Sequence, residues 1–130
     1  MKVSSAEEYA IRAMSFLARE YGNNKAFSLN QISEQEKLPL PFLEQIFRQL
    51  KLKKLVLARR GVSGGYVLAR DPAEVSSLEV IEAVSGPVML HQCKDMKFCK
   101  PDGCDVSPLW LRLTASVREV MRETKLRDIA

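Results

Sequence analysis

Between Leu38 and Asp71 the chain reads LPLPFLEQIFRQLKLKKLVLARRGVSGGYVLARD, a helical pattern followed at once by a glycine-tipped hairpin pattern. Leu43, Ile46, Phe47 and Leu50 recur at the i, i+3, i+4, i+7 spacing of a helix with one buried face. Pro41 suits a first helical position, where its missing N–H costs nothing. The spacing therefore predicts a helix that begins near residue 40 and contains Phe42 to Leu52. Farther on, Val56 to Arg60 and Tyr66 to Ala69 are short β-prone runs. Gly61, Gly64 and Gly65 between them offer the positive φ values that a tight hairpin needs.

From Gln45 to Arg70 every charged residue is basic: Arg48, Lys51, Lys53, Lys54, Arg59, Arg60 and Arg70. Helix and hairpin together predict a positive surface suited to phosphates, the alternative being a solvated basic face. The net charge of +4 is modest, so the position of the charge is the informative feature.

The flanking sequence supplies partners for this unit. Ser4 with Glu7, Ser28 with Gln31 and Ser76 with Glu79 have the form of capping boxes, each ahead of an apolar periodic run. They predict helices over about 5–21 and 29–36, and a short one that stops at Gly86-Pro87. Few residues separate the second helix from the Phe42–Leu52 helix, which is the linkage of a helix-turn-helix, and the hairpin that follows makes it winged. Ser107-Pro108 predicts the N-cap and first position of a last helix. In that helix Leu109, Leu113, Val117 and Val120 form one stripe, widened by Trp110 and Met121. The stripe either folds back on its own chain or pairs with a second subunit. The expected fold class is mainly α with a small two-stranded β wing, a winged helix-turn-helix plus a long C-terminal dimerisation helix.

At 130 residues and 46% hydrophobic the chain supports one core, and nothing marks a second. No apolar run approaches the ~20 residues needed to span a bilayer, and MKVSSAEEYA carries glutamates where a signal peptide is apolar. A cytoplasmic protein with no membrane partner is expected. Three cysteines then argue against a disulfide framework and for thiol or metal chemistry.

Cys93, Cys99 and Cys104 lie in CKDMKFCKPDGC, too widely spaced for the paired knuckles of ordinary structural zinc sites. Their arc suits a larger object such as an iron-sulfur cluster. Lys94, Lys97 and Lys100 among them favour the thiolate form. The alternatives are small core residues and a plain thiol sensor. His91 beside them is a candidate ligand or a packing residue. No nucleophile-base pair, Gly-rich phosphate loop or paired-carboxylate pattern is recognisable, so no enzyme is expected.

KVSSAEEYAIRAM, LPFLEQIFRQL, ARRGVSGGYVLARDP, VIEAVSGPV and the three-cysteine segment, in this order, resemble the Rrf-type winged-helix regulators, the family of IscR and NsrR. The resemblance runs over nearly the whole chain. It implies a homodimeric bacterial transcription regulator whose long C-terminal helix pairs with its partner. It further implies that Cys93, Cys99 and Cys104 hold an iron-sulfur cluster, 2Fe-2S or 4Fe-4S, whose state alters affinity for a double-stranded DNA operator. The histidine that IscR-like members carry beyond the third cysteine is absent. Ala6-Glu7-Glu8 places the carboxylate of Glu8 where NsrR-like members use an aspartate ligand. That moves the resemblance toward nitric-oxide or redox sensing, with Glu8 as fourth ligand.

By position the family's DNA-reading residues fall on Glu44 and its neighbours, with Pro41 at the helix start, and on Arg60 in the wing. Chemically, Glu44 suits cytosine N4 and Gln45 suits adenine, while Arg48, Lys51, Lys53 and Lys54 suit phosphates. Arg59 or Arg60 at the ribbon tip suits the minor groove. The expected organisation is 1–87 for DNA binding, 88–106 for the cluster and 107–130 for dimerisation and tail. The expected function is a cluster-controlled regulator. The alternatives are a regulator of the same fold that senses oxidants through thiols or binds zinc, and an iron-sulfur electron carrier.

Overall fold

Three helices begin at serines whose hydroxyls accept the backbone N–H three residues on, while the side chain found there accepts the serine's own N–H. Ser4 with Glu7, Ser28 with Gln31 and Ser76 with Glu79 close these reciprocal pairs at 2.8–3.2 Å. Such caps satisfy N–H groups that a helix start leaves open, each worth about 1 kcal/mol. The helices are α1 (Ser5–Arg19), α2 (Leu29–Glu36) and, after the ribbon, α4 (Ser77–Ser85). The computed structural model describes residues 2–90 and 105–130. His91, Cys93, Cys99 and Cys104 lie outside the described residues.

Helix α1 buries Ala10, Ala13, Met14 and Leu17 and packs on α3 (Leu40–Leu52) and α4. It ends two residues before the predicted limit, at Arg19, because the chain turns through Gly22 (φ 91) and Asn24 (φ 56). Helix α3 buries Leu43, Ile46, Phe47 and Leu50, the four residues its spacing nominated. Both helices of the helix-turn-helix close in the same way. Lys37 (φ 55) follows α2 and Lys54 (φ 60) follows α3 by two residues, and both are left-handed. The next residue then returns its N–H to a carbonyl five residues back, Leu38 to Ser33 and Leu55 to Leu50, both at 3.0 Å. Leu38 and Leu55 are buried at these turns. A side chain in this conformation costs about 1–2 kcal/mol that glycine avoids.

Strands β1 (Val56–Arg59) and β2 (Gly65–Leu68) pair antiparallel, Val56 opposite Leu68 and Arg59 opposite Gly65. The ribbon is one residue shorter at Arg60 and shifted by one at Tyr66 relative to the predicted runs, since Gly65 itself is a paired strand residue. Phe27, just ahead of α2, extends the ribbon by a bridge to Tyr66, with N–H···O distances of 3.0 and 2.7 Å. Gly61 and Gly65 have positive φ, as predicted, but Gly64 does not. The requirement at Gly64 is proximity, because a Cβ there would lie 2.4 Å from the Arg59 carbonyl oxygen. Gly65 is constrained twice, since its Cβ would also meet the Phe27 backbone at 2.3 Å.

Helix α5 (Ser107–Glu123) packs on α4, and its N-cap is Val106, which offers no side-chain cap, rather than the predicted Ser107. After α5 the chain turns back. Thr124 accepts the Ser77 N–H at 2.8 Å, the Leu126 N–H reaches the Val75 carbonyl at 2.9 Å, and a last turn, α6 (Leu126–Ile129), packs on α1. Leu126 is fully buried in the same core as Met14 and Phe47. Sequence periodicity gave no notice of this tail contact, because a single leucine carries no pattern.

Leu126→Ala is expected to lower unfolding stability by about 2–5 kcal/mol through the cavity it leaves. Denaturant titration checks it, and an unchanged midpoint would show that the tail is not part of the core.

Candidate nucleic-acid interface

With Leu43, Ile46, Phe47 and Leu50 turned inward, the intervening residues of α3 point away from the core. Pro41, Glu44, Gln45, Arg48 and Lys51 are all exposed, as are Lys53 and Lys54 just beyond the helix. Two aromatic contacts hold this presentation. Tyr9 meets Phe42 edge-on at 5.8 Å, fixing the start of α3 to α1, and Phe47 meets the Tyr66 ring at 4.9 Å, fixing its middle to β2.

The wing separates two arginines that adjacent positions in the sequence left equivalent. Arg59 ends β1 and turns its guanidinium back to Asn24, donating to the carbonyl oxygen at 3.4 Å and to Oδ1 at 3.3 Å. Arg60 lies in the turn at the tip, where the Gly64 N–H closes on the Gly61 carbonyl at 3.0 Å. Among the described residues Glu44, Gln45, Arg48, Lys51, Lys53, Lys54 and Arg60 make no side-chain hydrogen bond or ion pair, so each is available to a partner. Arg70, from the same basic run, is instead neutralised by Glu79 at 2.6 Å.

Three features of this surface escaped sequence reasoning. Phe42 is 48% exposed beside the polar residues of α3, and Val62 stands fully exposed at the wing tip. A groove of about 770 Å³ runs between the ribbon and the start of α2, lined among others by Lys25, Gln31, Arg59 and Ser63. Lys25 was legible as a charge, but its nearness to the wing depends on the Phe27–Tyr66 bridge.

Glu8, the predicted fourth ligand, is exposed on the first turn of α1 and paired with Arg12 at 2.8 Å. Its neighbour Glu7 faces a groove lined by Ile81, Leu90, Val117 and Met121, but Glu7 is engaged in its capping box. Among the described residues no cluster of His, Cys, Asp and Glu is assembled to hold a metal ion. No described helix is long and apolar enough to cross a membrane.

The stripe on α5 is divided between two surfaces. Val117 and Met121 turn toward Ile81 and Leu90 of their own chain, whereas Leu109 is 53% and Val120 64% exposed. Val117 therefore does not stand beside Val120 on a single outward seam. The chain-facing side of α5 is tied to α4 and to the residues that lead into the cysteine segment. Arg118 binds Glu82 at 2.8 Å, Glu82 accepts the Val88 N–H at 3.0 Å, and the Leu90 N–H reaches Thr114 Oγ1 at 3.3 Å. Burial alone would raise the Glu82 carboxyl, but the hydrogen bonds from Arg118 and Val88 and the charges of Arg118 and Arg122 outweigh it. Its pKa lies below the ordinary 4.5.

A family model described as "Rrf2: Iron-dependent Transcriptional regulator" matches residues 3–130. The regulator IscR of Sodalis glossinidius is 32% identical over 130 residues, which is 99% of this chain and 78% of that protein. Among solved structures, CymR (YrzC), the global cysteine regulator of B. subtilis, superposes with a TM-score of 0.84 at 30% identity, covering 100% of this chain and 96% of CymR. T. potens IscR does so with 0.83 at 31%, covering 99% and 85%. These relatives are transcription regulators rather than enzymes, and the winged-helix fold is theirs as well.

Because folding depresses the Glu82 pKa, its ion pair stabilises the α4–α5 junction above the unfolded value and is lost as pH falls through the folded one. The stability difference between wild type and Glu82→Gln is therefore expected to shrink from about pH 6 to about pH 3. Unfolding titrations across that range check it, and a difference independent of pH would refute the assignment.

Proposed function

Because the chain belongs to the Rrf2 family of transcriptional regulators, we propose that it is a bacterial repressor or activator that reads operator DNA with α3 and the wing tip. One observation carries this reading: Glu44, Gln45, Arg48, Lys51, Lys53, Lys54 and Arg60 are exposed on α3, at its end and on the wing, with no partners among the described residues. Glu44 and Gln45 read base edges in the major groove, with Pro41 at the leading end of the helix. The cations neutralise phosphates, and Arg60 enters the minor groove. Arg59 has the lesser role, since it is engaged by Asn24.

A two-fold dimer suits such a reader, because two subunits address two half-sites. Leu109 and Val120 on the outward side of α5, with the half-buried Leu113 at its edge, supply apolar surface for a second copy. In this organisation residues 1–87 bind DNA, 88–106 sense and 107–130 pair the subunits, with Leu126 anchoring the tail in the first unit.

The sensor we propose is an iron-sulfur cluster held by the thiolates of Cys93, Cys99 and Cys104, with the Glu8 carboxylate in the fourth place. The iron-dependent description of the family supports it, as does the donor set, which combines soft thiolates with one harder and more labile ligand. Glu8 is exposed, and among the described residues its carboxylate is held by a solvent-facing pair to Arg12, which a metal displaces readily. When bound, the cluster supplies a centre that reacts with oxidants and nitric oxide. The protein's own contribution is mechanical. Glu82, Arg118 and Thr114 fasten residues 88–90 to α4 and α5, so a change in the segment beyond them bears on α4 and, through it, on α3.

A second reading, direct sensing by the cysteine thiols without a cluster, is favoured by the similarity to CymR, the global cysteine regulator of B. subtilis. The absorption spectrum of anaerobically purified protein separates the two. Visible charge-transfer bands lost in Cys93, Cys99 or Cys104 variants support the cluster, and a colourless iron-free protein supports thiol sensing. Glu8→Ala is expected to keep the bands but shorten their lifetime in air. A variant indistinguishable from wild type would remove Glu8 as a ligand.

Arg60→Ala is expected to weaken DNA binding by about 1–3 kcal/mol. Gel-shift titration that found wild-type affinity would exclude the wing from the interface.

A further inference from the structure

Among the described non-glycine residues the left-handed backbone occurs at Asn24, Lys37 and Lys54. All of them border the DNA-facing elements: Asn24 precedes the Phe27 bridge, Lys37 lies between α2 and α3, and Lys54 lies between α3 and β1. Asn24 is a residue type that tolerates this conformation, and its side chain is used, since its Oδ1 accepts from Arg59. Lysine has neither excuse. Its side chain cannot close a local turn as asparagine does, and glycine would adopt the same φ without strain.

The turns themselves gain nothing from the two ammonium groups. Each turn is fixed by the residue that follows, Leu38 or Leu55, through its buried side chain and its N–H to the helix. Lys37 and Lys54 are exposed, and among the described residues neither makes a side-chain hydrogen bond or ion pair. What remains within the chain is a weak attraction to the carbonyl end of the preceding helix. Beyond that attraction, the strained positions carry charge that no other described residue engages.

We propose that Lys37 and Lys54 are a pair of phosphate clamps bracketing α3, one in the turn before it and one in the turn after it. The proposal rests on the reading of α3 as the helix that enters the major groove. With its 13 residues α3 is about 20 Å long, whereas the groove is about 12 Å wide. A helix presenting Glu44, Gln45 and Arg48 to base edges therefore overhangs the groove, and the turns at its ends come to the sugar-phosphate walls. Lysine fits a wall contact, because its ammonium on a flexible stem meets a phosphate oxygen from many directions and reads no sequence. The clamps set the depth and register at which the reading residues work. They add affinity for any duplex equally.

Substitution by glycine tests this without the usual ambiguity, because Lys37→Gly and Lys54→Gly relieve strain while removing charge. Each variant, as full-length protein in the same anaerobic preparation as wild type, is titrated with a random-sequence duplex and with the tightest duplex selected from a randomised pool by the wild type. Each is expected to melt no lower than wild type yet to bind both duplexes more weakly by the same factor, roughly fivefold at physiological salt. The slope of log affinity against log salt should fall by about 0.9 for each lysine and about 1.8 for the double variant. Lys37→Gln and Lys54→Gln, which keep the strain and lose the charge, should bind like the glycine variants and melt lower than them.

Glycine or glutamine variants with wild-type affinity and salt slope would overturn the proposal and leave the lysines as helix-end charges. A loss confined to the selected duplex would also overturn it, since that marks base reading. Arg60→Ala in the same titrations separates the levels. If it weakens binding while the lysine variants do not, the clamps alone fail; if wild type binds neither duplex, the DNA-binding reading fails and the clamps with it.

Discussion

A helix can read DNA only if its rotation about its own axis is fixed, and in this chain the burial of Leu43, Ile46, Phe47 and Leu50 fixes it. Each of these side chains contributes roughly 1.5–3 kcal/mol when removed from water. A turn of one residue would bring Glu44 or another polar neighbour into the core, where an unpaired charge is far more costly. The outward direction of Glu44, Gln45 and Arg48 is thus a consequence of the inward one. Contacts of Phe42 with Tyr9 and of Phe47 with Tyr66 make the same rotation a property of the whole helix-turn-helix.

The wing must stand in a set relation to that helix if both are to meet one duplex. This relation depends on a close approach of backbones rather than on side-chain packing alone. Gly65 lets Phe27 pair with Tyr66, which joins the segment before α2 to the strand after α3. Any side chain at Gly65 would occupy the place of the Phe27 carbonyl. The residues that tune electrostatics sit on this frame without supporting it. Arg60 and the two left-handed lysines, Lys37 and Lys54, are exposed at turns whose geometry is made by glycines and by buried leucines.

The C-terminal part serves two surfaces at once. One side of α5, with Val117, Arg118 and Met121, is bound to α4, and the return of the chain through Leu126 locks that arrangement into the core. The other side, with Leu109 and Val120, is left to solvent in the single chain. A helix fastened in this way cannot shift without moving α4, and α4 packs on both α1 and α3. Mechanical coupling between residues 88–90 and α3 follows from this packing.

Much of this was legible in the sequence because it is local. Capping boxes at Ser4, Ser28 and Ser76, the spacing of Leu43 to Leu50 and the glycine-flanked ribbon each report on backbone within a few residues, and the resemblance they carry names the family correctly. Which basic residues remain free was not legible. Arg59 is taken by Asn24, 35 positions away, and Arg70 by Glu79, while Arg60 has no ion pair among the described residues. Nor did the apolar stripe of α5 disclose its division, which is set by Ser77 binding Met121 across 44 positions and by Glu82 binding Arg118. The sequence by itself determined the elements, because hydrogen bonds within a turn of helix or ribbon depend on neighbours in the chain. Only the tertiary structure decided which charges and which apolar faces are spent internally, because burial and ion pairing depend on residues that the fold alone brings together.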